Sequence, residues 1–247
     1  MTLPGYLSLL FIVANPHPRY SPDVTVLVVA AHPDDEALGC GGTIAKHAAA
    51  GDNVVVAFLA DGASSRDPSA DHSADISRRQ DAARSAAVIL GVRDVRFGDL
   101  PDNRLDTVPM LSIARAVEAV VREVDPTTIY THFAHDLNVD HRLVHEAVMT
   151  AVRPQPGSDI ATVLTFETPS STEWRSPQSA PAFSPNWFAD ITDTLDLKLQ
   201  ALDAYEEEMR PWPHARSREA VEHLARWRGA TIGRQAAEAF VLARHVE

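Results

Sequence analysis

The sequence predicts an α/β fold with a doubly wound, mainly parallel sheet and helices on both faces. Continuous apolar, β-branched runs at 24–31 and 54–60 are typical of strands buried on both faces. Helix-like segments of about ten to eighteen residues alternate with such runs, which is the pattern of βαβ units. Finally, a cluster of imidazole and carboxyl side chains directly follows the first run, where α/β sheets place their ligands.

Four strand–helix units account for the first part of the chain. Strands are predicted at 24–31, 54–60, 95–97 and 127–131, and helices at 41–50, 73–90, 108–124 and 141–152. Gly51 and Gly91 stand where the first two helices should end, and Pro126 lies just beyond the third. Alternating strands and helices of this kind form a Rossmann-like parallel sheet.

The remaining elements are less regular. We predict a strand at 161–167, a Ser- and Pro-rich loop at 169–186, a strand at 187–191, and helices at 193–209 and 216–228. We expect these C-terminal strands and helices to pack on the parallel sheet. The predicted organisation is an N-terminal extension, 1–23, followed by a single domain, 24–247. The apolar run at 6–14 fits a packed extension or edge strand, with a weak signal segment as the alternative.

Composition excludes several classes of protein. The chain has 247 residues, with 22 Lys and Arg against 34 Asp and Glu, and a net charge of −12. Nucleic-acid binding needs a basic face, so we expect no nucleic-acid partner. No apolar run reaches the roughly 18 residues of a membrane span. Because Cys40 is the only cysteine, no disulfide can form within the chain. We therefore expect a cytoplasmic protein with a small-molecule substrate.

The strongest chemical signal is the segment His32-Pro33-Asp34-Asp35-Glu36, which directly follows the first predicted strand. Pro33 fixes its own φ, and we expect it to prevent a regular helix through the cluster. A turn there can direct His32 and Asp35 toward a common point. Imidazole and carboxylate together suit zinc and similar divalent ions.

A catalytic zinc site usually has three protein ligands and one open position. The third ligand is expected in the loop 131–141, which follows the fourth predicted strand and ends with Asp140-His141. Parallel strands end at one edge of the sheet, so the two loops can meet over one ion. His132 and His135 lie in the same loop, and we interpret His132 as structural.

Ala31 to Glu36 resembles the signature of the LmbE-like, or PIG-L, family of zinc-dependent N-acetylglucosaminyl deacetylases, and Asp140-His141 resembles its second motif. The likeness extends over about residues 24 to 244. Further similar segments are Arg79 upstream of Leu90-Gly91-Val92, Pro101-Asp102-Asn103, 170–174, 213–217, 228–229 and 237–240.

The resemblance implies a residue-by-residue site. His32, Asp35 and His141 would be the metal ligands, with Zn²⁺ as the expected cofactor and other divalent ions compatible with the same set. Asp34 would be the general base that takes a proton from a metal-bound water. Asp140 would orient a neighbouring imidazole. The reaction would remove the acetyl group from an N-acetylated amino sugar, releasing acetate and a free amine.

Substrate contacts are implied for Arg79, Asp102 and Asn138. Several family members have a histidine three residues before the last ligand, where this chain has Asn138. Asn138 can donate a hydrogen bond to an oxyanion but cannot act as an acid at neutral pH. His135 is the candidate for that acid, and the identity of the acid stays open. The resemblance is also compatible with a homo-oligomer.

Two other functions are compatible with the sequence. One is an amidase of the same family that acts on a larger or non-sugar acyl amide. The other is a non-catalytic Rossmann-like module that binds a sugar or nucleotide. Gly39-Cys40-Gly41-Gly42 places two glycines of the dinucleotide-binding pattern but lacks the third. The acids at 34–36 would also repel a phosphate.

Overall fold

A computed structural model describes residues 24–63 and 72–247, and the predicted extension, 1–23, lies outside the described residues. The strands are β1 Thr25–Ala30, β2 Asn53–Ala60, β3 Asp94–Leu100, β4 Thr128–His132, β5 Thr162–Phe166, β6 Trp187–Asp190 and β7 Ala237–His245. The helices are α1 Asp35–Ala50, α2 Ser73–Leu90, α3 Met110–Val124, α4 Val139–Ala151, α5 Leu195–Asp203 and α6 Arg218–Ala230.

The seven strands form one sheet in the order β3-β2-β1-β4-β5-β7-β6. Strands β1 to β5 run parallel, while β7 lies antiparallel between β5 and β6. The predicted doubly wound sheet is therefore confirmed, with two C-terminal strands added at one side. The chain order reverses between β1 and β4, so a crevice is expected at their carboxyl ends.

The two faces of the sheet carry separate apolar cores. Val26 and Val28 of β1 pack with α1, α2 and α5, whereas Leu27 and Val29 pack with α3 and α4. Successive strand side chains point to opposite faces. Both faces of β1 are therefore buried, which explains why its sequence is apolar throughout. Within the described ranges, no helix is long and apolar enough to span a membrane.

The start of α1 differs from the prediction. The helix begins at Asp35 rather than at 41. His32, Pro33 and Asp34 lie before it, so no regular helix runs through the whole cluster, but Asp35 and Glu36 are helical. Asp35 and Glu36 thus occupy the first turn, where the helix dipole favours negative charge.

The C-terminal elements also differ. The helix predicted at 193–209 ends at Asp203, and strand β7 was not predicted. The β7 segment contains Ala, Glu, Leu and Arg, which suit a helix equally well. Pairing with β5 and β6 decides its conformation, as is common for strands.

The glycines near the acidic cluster have a packing role. Gly39 and Gly42 lie inside α1, and a Cβ at Gly39 would come within 2.2 Å of the Phe166 ring. A Cβ at Gly42 would come within 2.8 Å of Ile191. These glycines let α1 approach β5 and the residue that follows β6, and they lie within a helix rather than in a phosphate-binding loop. The sequence feature that suggested a nucleotide site therefore has another explanation.

A buried ion pair holds α1 at a break in its helical geometry. Cys40 has non-helical dihedral angles, and the N–H groups of Gly42 and Thr43 just beyond it donate to the Glu238 carboxylate, at 3.0 and 2.7 Å. Lys198 of α5 lies 2.5 Å from Glu238 and also donates to the Leu38 carbonyl. Strand β7 and helix α5 thereby fix the helix that carries Asp35.

We predict that Glu238→Ala destabilises the protein by about 3–5 kcal/mol, because it leaves Lys198 buried without its counter-charge. Urea unfolding measures the loss. The matched control is Glu238→Ala combined with Lys198→Met, which removes both charges and should recover a large part of the stability. A single variant as stable as the native protein would contradict this account.

Candidate active site

The loops after β1 and β4 bring His32, Asp35 and His141 together at the predicted edge of the sheet. All three side chains are buried, and one potential ligand atom from each lies within 4.8 Å of the others. His141 occupies the first turn of α4 and Asp35 the first turn of α1. Residues more than a hundred positions apart therefore form one group because β1 and β4 are neighbours.

The hydrogen bonding of this group fits a divalent cation. Asp35 Oδ2 accepts from the His32 N–H at 2.9 Å, but Asp35 Oδ1 and His141 Nε2 are buried without a hydrogen-bond partner. Buried polar atoms are nearly always paired in native proteins. Two imidazoles and a carboxylate are the ligand types that zinc accepts. These residues could therefore hold a zinc-like ion.

The His32 and His141 rings each contact a further buried carboxylate, besides Asp35. His32 Nε2 lies 3.0 Å from Asp140, and His141 Nδ1 lies 3.2 Å from Asp136. Carboxylates in such positions fix the tautomer and orientation of metal-binding histidines. Asp140 thus contacts an imidazole as expected. Asp136 was missed in the sequence, although its place five residues before His141 was a usable signal.

His32, Asp102 and Asp140 form a second cluster of possible ligands. Its acids already have other partners: Asp140 accepts from the Leu105 N–H at 3.0 Å, and Asp102 accepts from Asn103 at 3.2 Å. Asp102 Oδ1 also lies 3.1 Å from His32 Nε2. This arrangement suits support of the His32 ring better than a second ion.

The other predicted residues of the loop 131–141 lie in three different places. The Ala31 N–H donates to His132 Nε2 at 2.9 Å, so that nitrogen is not free for an ion and His132 has a structural place. His135 packs against Phe133 and is not brought to the group. Asn138 caps α4 by accepting from the Asp140 N–H at 2.8 Å, and its amide donates to Asn103.

Asp34 has a strained backbone. Its φ is 123°, which is rare outside glycine, and its side chain is buried. The Asp34 N–H donates to the Glu36 carboxyl group at 3.1 Å, and Glu36 is held in turn by the Tyr205 hydroxyl at 2.6 Å. Strain of this kind persists only where the surroundings enforce it, and it concentrates at functional sites.

The Asp34 carboxyl group faces a guanidinium from the C-terminal part of the chain. Arg216 donates to Asp34 Oδ2 at 2.5 Å and to Ser170 Oγ at 2.6 Å. Burial raises the pKa of Asp34 to about 6, although the Arg216 charge opposes the shift. The segments 170–174 and 213–217, noted in the sequence, therefore reach the site.

Burial and the contacts between neighbouring side chains shift the pKa values of His141 and Asp136. Burial disfavours a charged His141, but the Asp35 carboxylate outweighs it and the pKa of His141 rises to about 9. Burial also disfavours charge on Asp136, yet His141 and the hydroxyl groups of Ser171 and Thr172 lower its pKa to about 2. Asp136 thus stays ionised beside His141, and an ion bound here would take the place of the His141 proton, because a metal-binding imidazole is neutral.

A polar cavity of about 260 Å³ is lined by His32 of this group and by Asp34. The three predicted substrate residues, Arg79, Asp102 and Asn138, all line it, whereas His135 does not. The full lining is His32, Asp34, Gly62, Arg79, Asp102, Asn103, Asn138, Glu208 and Arg216. Arg79 is engaged by the Glu208 carboxylate. The cavity therefore offers several hydrogen-bonding groups to a hydroxylated ligand.

Comparison with known proteins gives consistent similarities. A family model described as GlcNAc-PI de-N-acetylase, PIG-L, matches residues 27–152. A probable N-acetyl-alpha-D-glucosaminyl L-malate deacetylase 2 from Bacillus cereus is 28% identical over 210 residues, covering 82% of this chain and 93% of that protein. A diacetylchitobiose deacetylase from Thermococcus kodakarensis is 30% identical over 199 residues, covering 74% and 69%.

A solved structure with another activity shares the fold. The 4-carboxy-2-hydroxymuconate hydratase of Pseudomonas putida superposes with a TM-score of 0.70 and 25% sequence identity. The match covers 91% of this chain and 98% of that one. The fold is therefore shared by named deacetylases and by a hydratase.

We predict that Thr172→Val lowers stability by about 1–3 kcal/mol, because the buried Asp136 carboxylate loses a hydroxyl donor. The Thr172 hydroxyl lies 2.6 Å from Asp136 and also accepts from the Thr168 N–H. Thr172→Ser keeps the hydroxyl and serves as the control. Thermal unfolding of the two variants compares them, and equal midpoints would show that the contact contributes nothing.

Proposed function

The chain is an enzyme of the PIG-L family of deacetylases, and from this premise we propose that it removes the acetyl group from an N-acetylated amino sugar in a metal-dependent hydrolysis. One observation carries the proposal: a buried group of two imidazoles and a carboxylate includes His32, which lines a polar cavity together with Asp34. Family membership supplies the reaction class, and the deacetylase relatives supply the kind of substrate.

In this proposal His32, Asp35 and His141 hold a Zn²⁺ ion or a similar divalent cation. When bound, such an ion supplies Lewis acidity, which polarises an amide carbonyl and makes water more acidic. Asp140 and Asp136 keep the two imidazoles in the orientation and tautomer that leave one nitrogen of each for the ion.

Asp34 is the proposed proton-transfer group. A pKa of about 6 lets its carboxyl group accept and release a proton near neutral pH. Arg216 engages Oδ2 and keeps the group directed at the cavity, which leaves Oδ1 to take the proton from water. The same oxygen can then return that proton to the leaving amine. This assignment replaces His135, which lies away from the cavity.

Arg79, Asp102 and Asn138 are the proposed substrate contacts. Arg79 and Asn138 present N–H donors and Asp102 presents acceptors, which suits the hydroxyl and acetamido groups of a sugar. Of these three residues, Asn138 is the one beside the proposed ligand His141, because it is the N-cap of the helix whose first turn contains His141. It is the proposed donor to the acetamido oxygen as negative charge develops there.

Hydration of an unsaturated acid is the second candidate function. It is favoured by the similarity to the hydratase of Pseudomonas putida over 91% of this chain. The two candidates differ in product, since deacetylation releases a primary amine and hydration does not.

We predict that the purified protein releases free amine from N-acetylated amino sugars and that a strong chelator abolishes the release. The panel contains N-acetylglucosamine, a nucleotide conjugate of it, and short glycosides, with added zinc restoring the chelated enzyme. Failure of amine release from every substrate, together with hydration of 4-carboxy-2-hydroxymuconate, would replace this proposal with the second candidate.

We predict that Asp34→Asn retains bound metal but lowers kcat by about 10²–10⁴-fold, because it removes the proton acceptor. His141→Ala should instead lose metal, measured by elemental analysis of the dialysed protein. His135→Ala is the control and should keep both metal and activity. A loss of activity in that control would return His135 to the mechanism, and full activity of Asp34→Asn would remove Asp34 from it.

A further inference from the structure

Three consecutive glutamates follow α5, and the structure separates the last of them from the other two. Glu206 is exposed and the side chain of Glu207 is 58% exposed, whereas the side chain of Glu208 is only 11% exposed. Glu208 also lines the polar cavity that contains Asp34. A charge run on a solvated surface does not account for a carboxylate that is turned into a cavity.

A short turn fixes Glu208 relative to the site. The Glu208 N–H donates to the Tyr205 carbonyl at 2.8 Å, and the Tyr205 hydroxyl donates to Glu36 at 2.6 Å. Glu36 belongs to the first turn of α1, next to Asp35. The turn 205–208 is therefore anchored on the helix that carries the proposed ligand, and Glu208 is a positioned part of the cavity wall.

The partner of Glu208 is the guanidinium of Arg79. Nη2 of Arg79 donates to the Glu208 carboxylate, and the Arg79 side chain is 14% exposed. On another side the guanidinium lies close to Gly62, where an added Cβ would come within 3.1 Å of Nη1. Glu208 and the Gly62 backbone thus confine the guanidinium. Its other N–H groups can donate to a hydroxyl group, but its charge already faces a carboxylate.

The second arginine of the cavity is matched in the same way. Arg216 lies 2.5 Å from Asp34, and Asp102 is a third carboxyl group in the lining. An anion that reaches Arg79 must separate it from Glu208, which leaves that carboxylate largely buried without its counter-charge. The anion and the carboxylate would then be like charges side by side, an arrangement that sites use to exclude ligands.

We propose that Glu208 is a specificity-determining residue, which pairs with Arg79 and thereby selects sugars that carry no phosphate or carboxylate group at the position facing Arg79. This inference rests on the proposed deacetylation and adds a selection rule to it. In the native cavity Arg79 donates to a hydroxyl group of the substrate while Glu208 orients the guanidinium. Without the Glu208 charge, the same guanidinium becomes a partner for an anion.

The test compares kcat/KM for N-acetylglucosamine, its 1-phosphate and its 6-phosphate, which carry the anion at different positions of one ring. The native protein should prefer the neutral sugar to both esters. Glu208→Gln keeps the size of the side chain and removes its charge. We expect this variant to raise kcat/KM for at least one ester about tenfold, mainly through KM, because binding of the phosphate is equal in ground and transition states. The neutral sugar should lose about threefold, since Arg79 is less firmly oriented.

Glu207→Gln is the matched control. It removes the same charge from the neighbouring residue, whose carboxylate pairs with Arg78 at 3.2 Å and does not line the cavity. The relative kcat/KM values of the three substrates should stay as in the native protein. Adding Arg79→Gln to Glu208→Gln should abolish the gain for the ester, because the guanidinium that binds the phosphate is gone. A gain that persists in this double variant would overturn the assignment.

Binding measured without turnover separates this inference from the proposed function. A ligand that binds the folded protein raises the midpoint of thermal unfolding. The ester that gains in turnover should therefore stabilise Glu208→Gln more than it stabilises the native protein. If no substrate releases amine but this selective stabilisation is found, the proposed function is overturned and the selection by Glu208 is supported.

The remaining outcomes count against the role of Glu208. Amine release with the same substrate preference in Glu208→Gln as in the native protein would overturn this role and leave deacetylation in place. A native preference for either phosphate ester would do the same. Absence of both amine release and selective stabilisation would overturn the proposed function and the role of Glu208 together.

Discussion

The site depends on the burial of the Asp35 carboxylate among imidazoles. Its Oδ2 lies within 3.3 to 3.5 Å of a ring nitrogen of His32, His132 and His141. Burial opposes the charge, but the contacts with His141 and His32 outweigh it, and the pKa of Asp35 lies well below its usual range. A buried charge is tolerated only with partners of this kind. Adjacent placement of β1 and β4 is what supplies them.

The strained backbone of Asp34 is held by distant parts of the chain. Glu36 bonds its N–H and is itself held by Tyr205, which follows α5, while Arg216 from the turn before α6 engages its carboxyl group. The C-terminal elements therefore complete the site as well as extend the sheet. Strain at one residue is offset by these contacts, so the orientation of Asp34 depends on how α5 and α6 pack.

The same packing shapes the cavity in which we propose that the substrate binds. The Arg79–Glu208 pair joins α2 to the segment after α5, and both residues line the polar cavity that contains Asp34. This cavity is small and surrounded by polar side chains, which suits one hydroxylated ring.

The sequence by itself determined the parallel sheet and the placing of two polar loops at the ends of β1 and β4, because hydrophobic period and strand-end position are local properties. The choice of His32, Asp35 and His141 as ligands came from the family resemblance. Tertiary structure decided the rest. Strand β7 forms only through its pairing with β5 and β6. The contacts of Asp34 with Arg216, and of His141 with Asp136, depend on how loops converge in space, which no local pattern encodes.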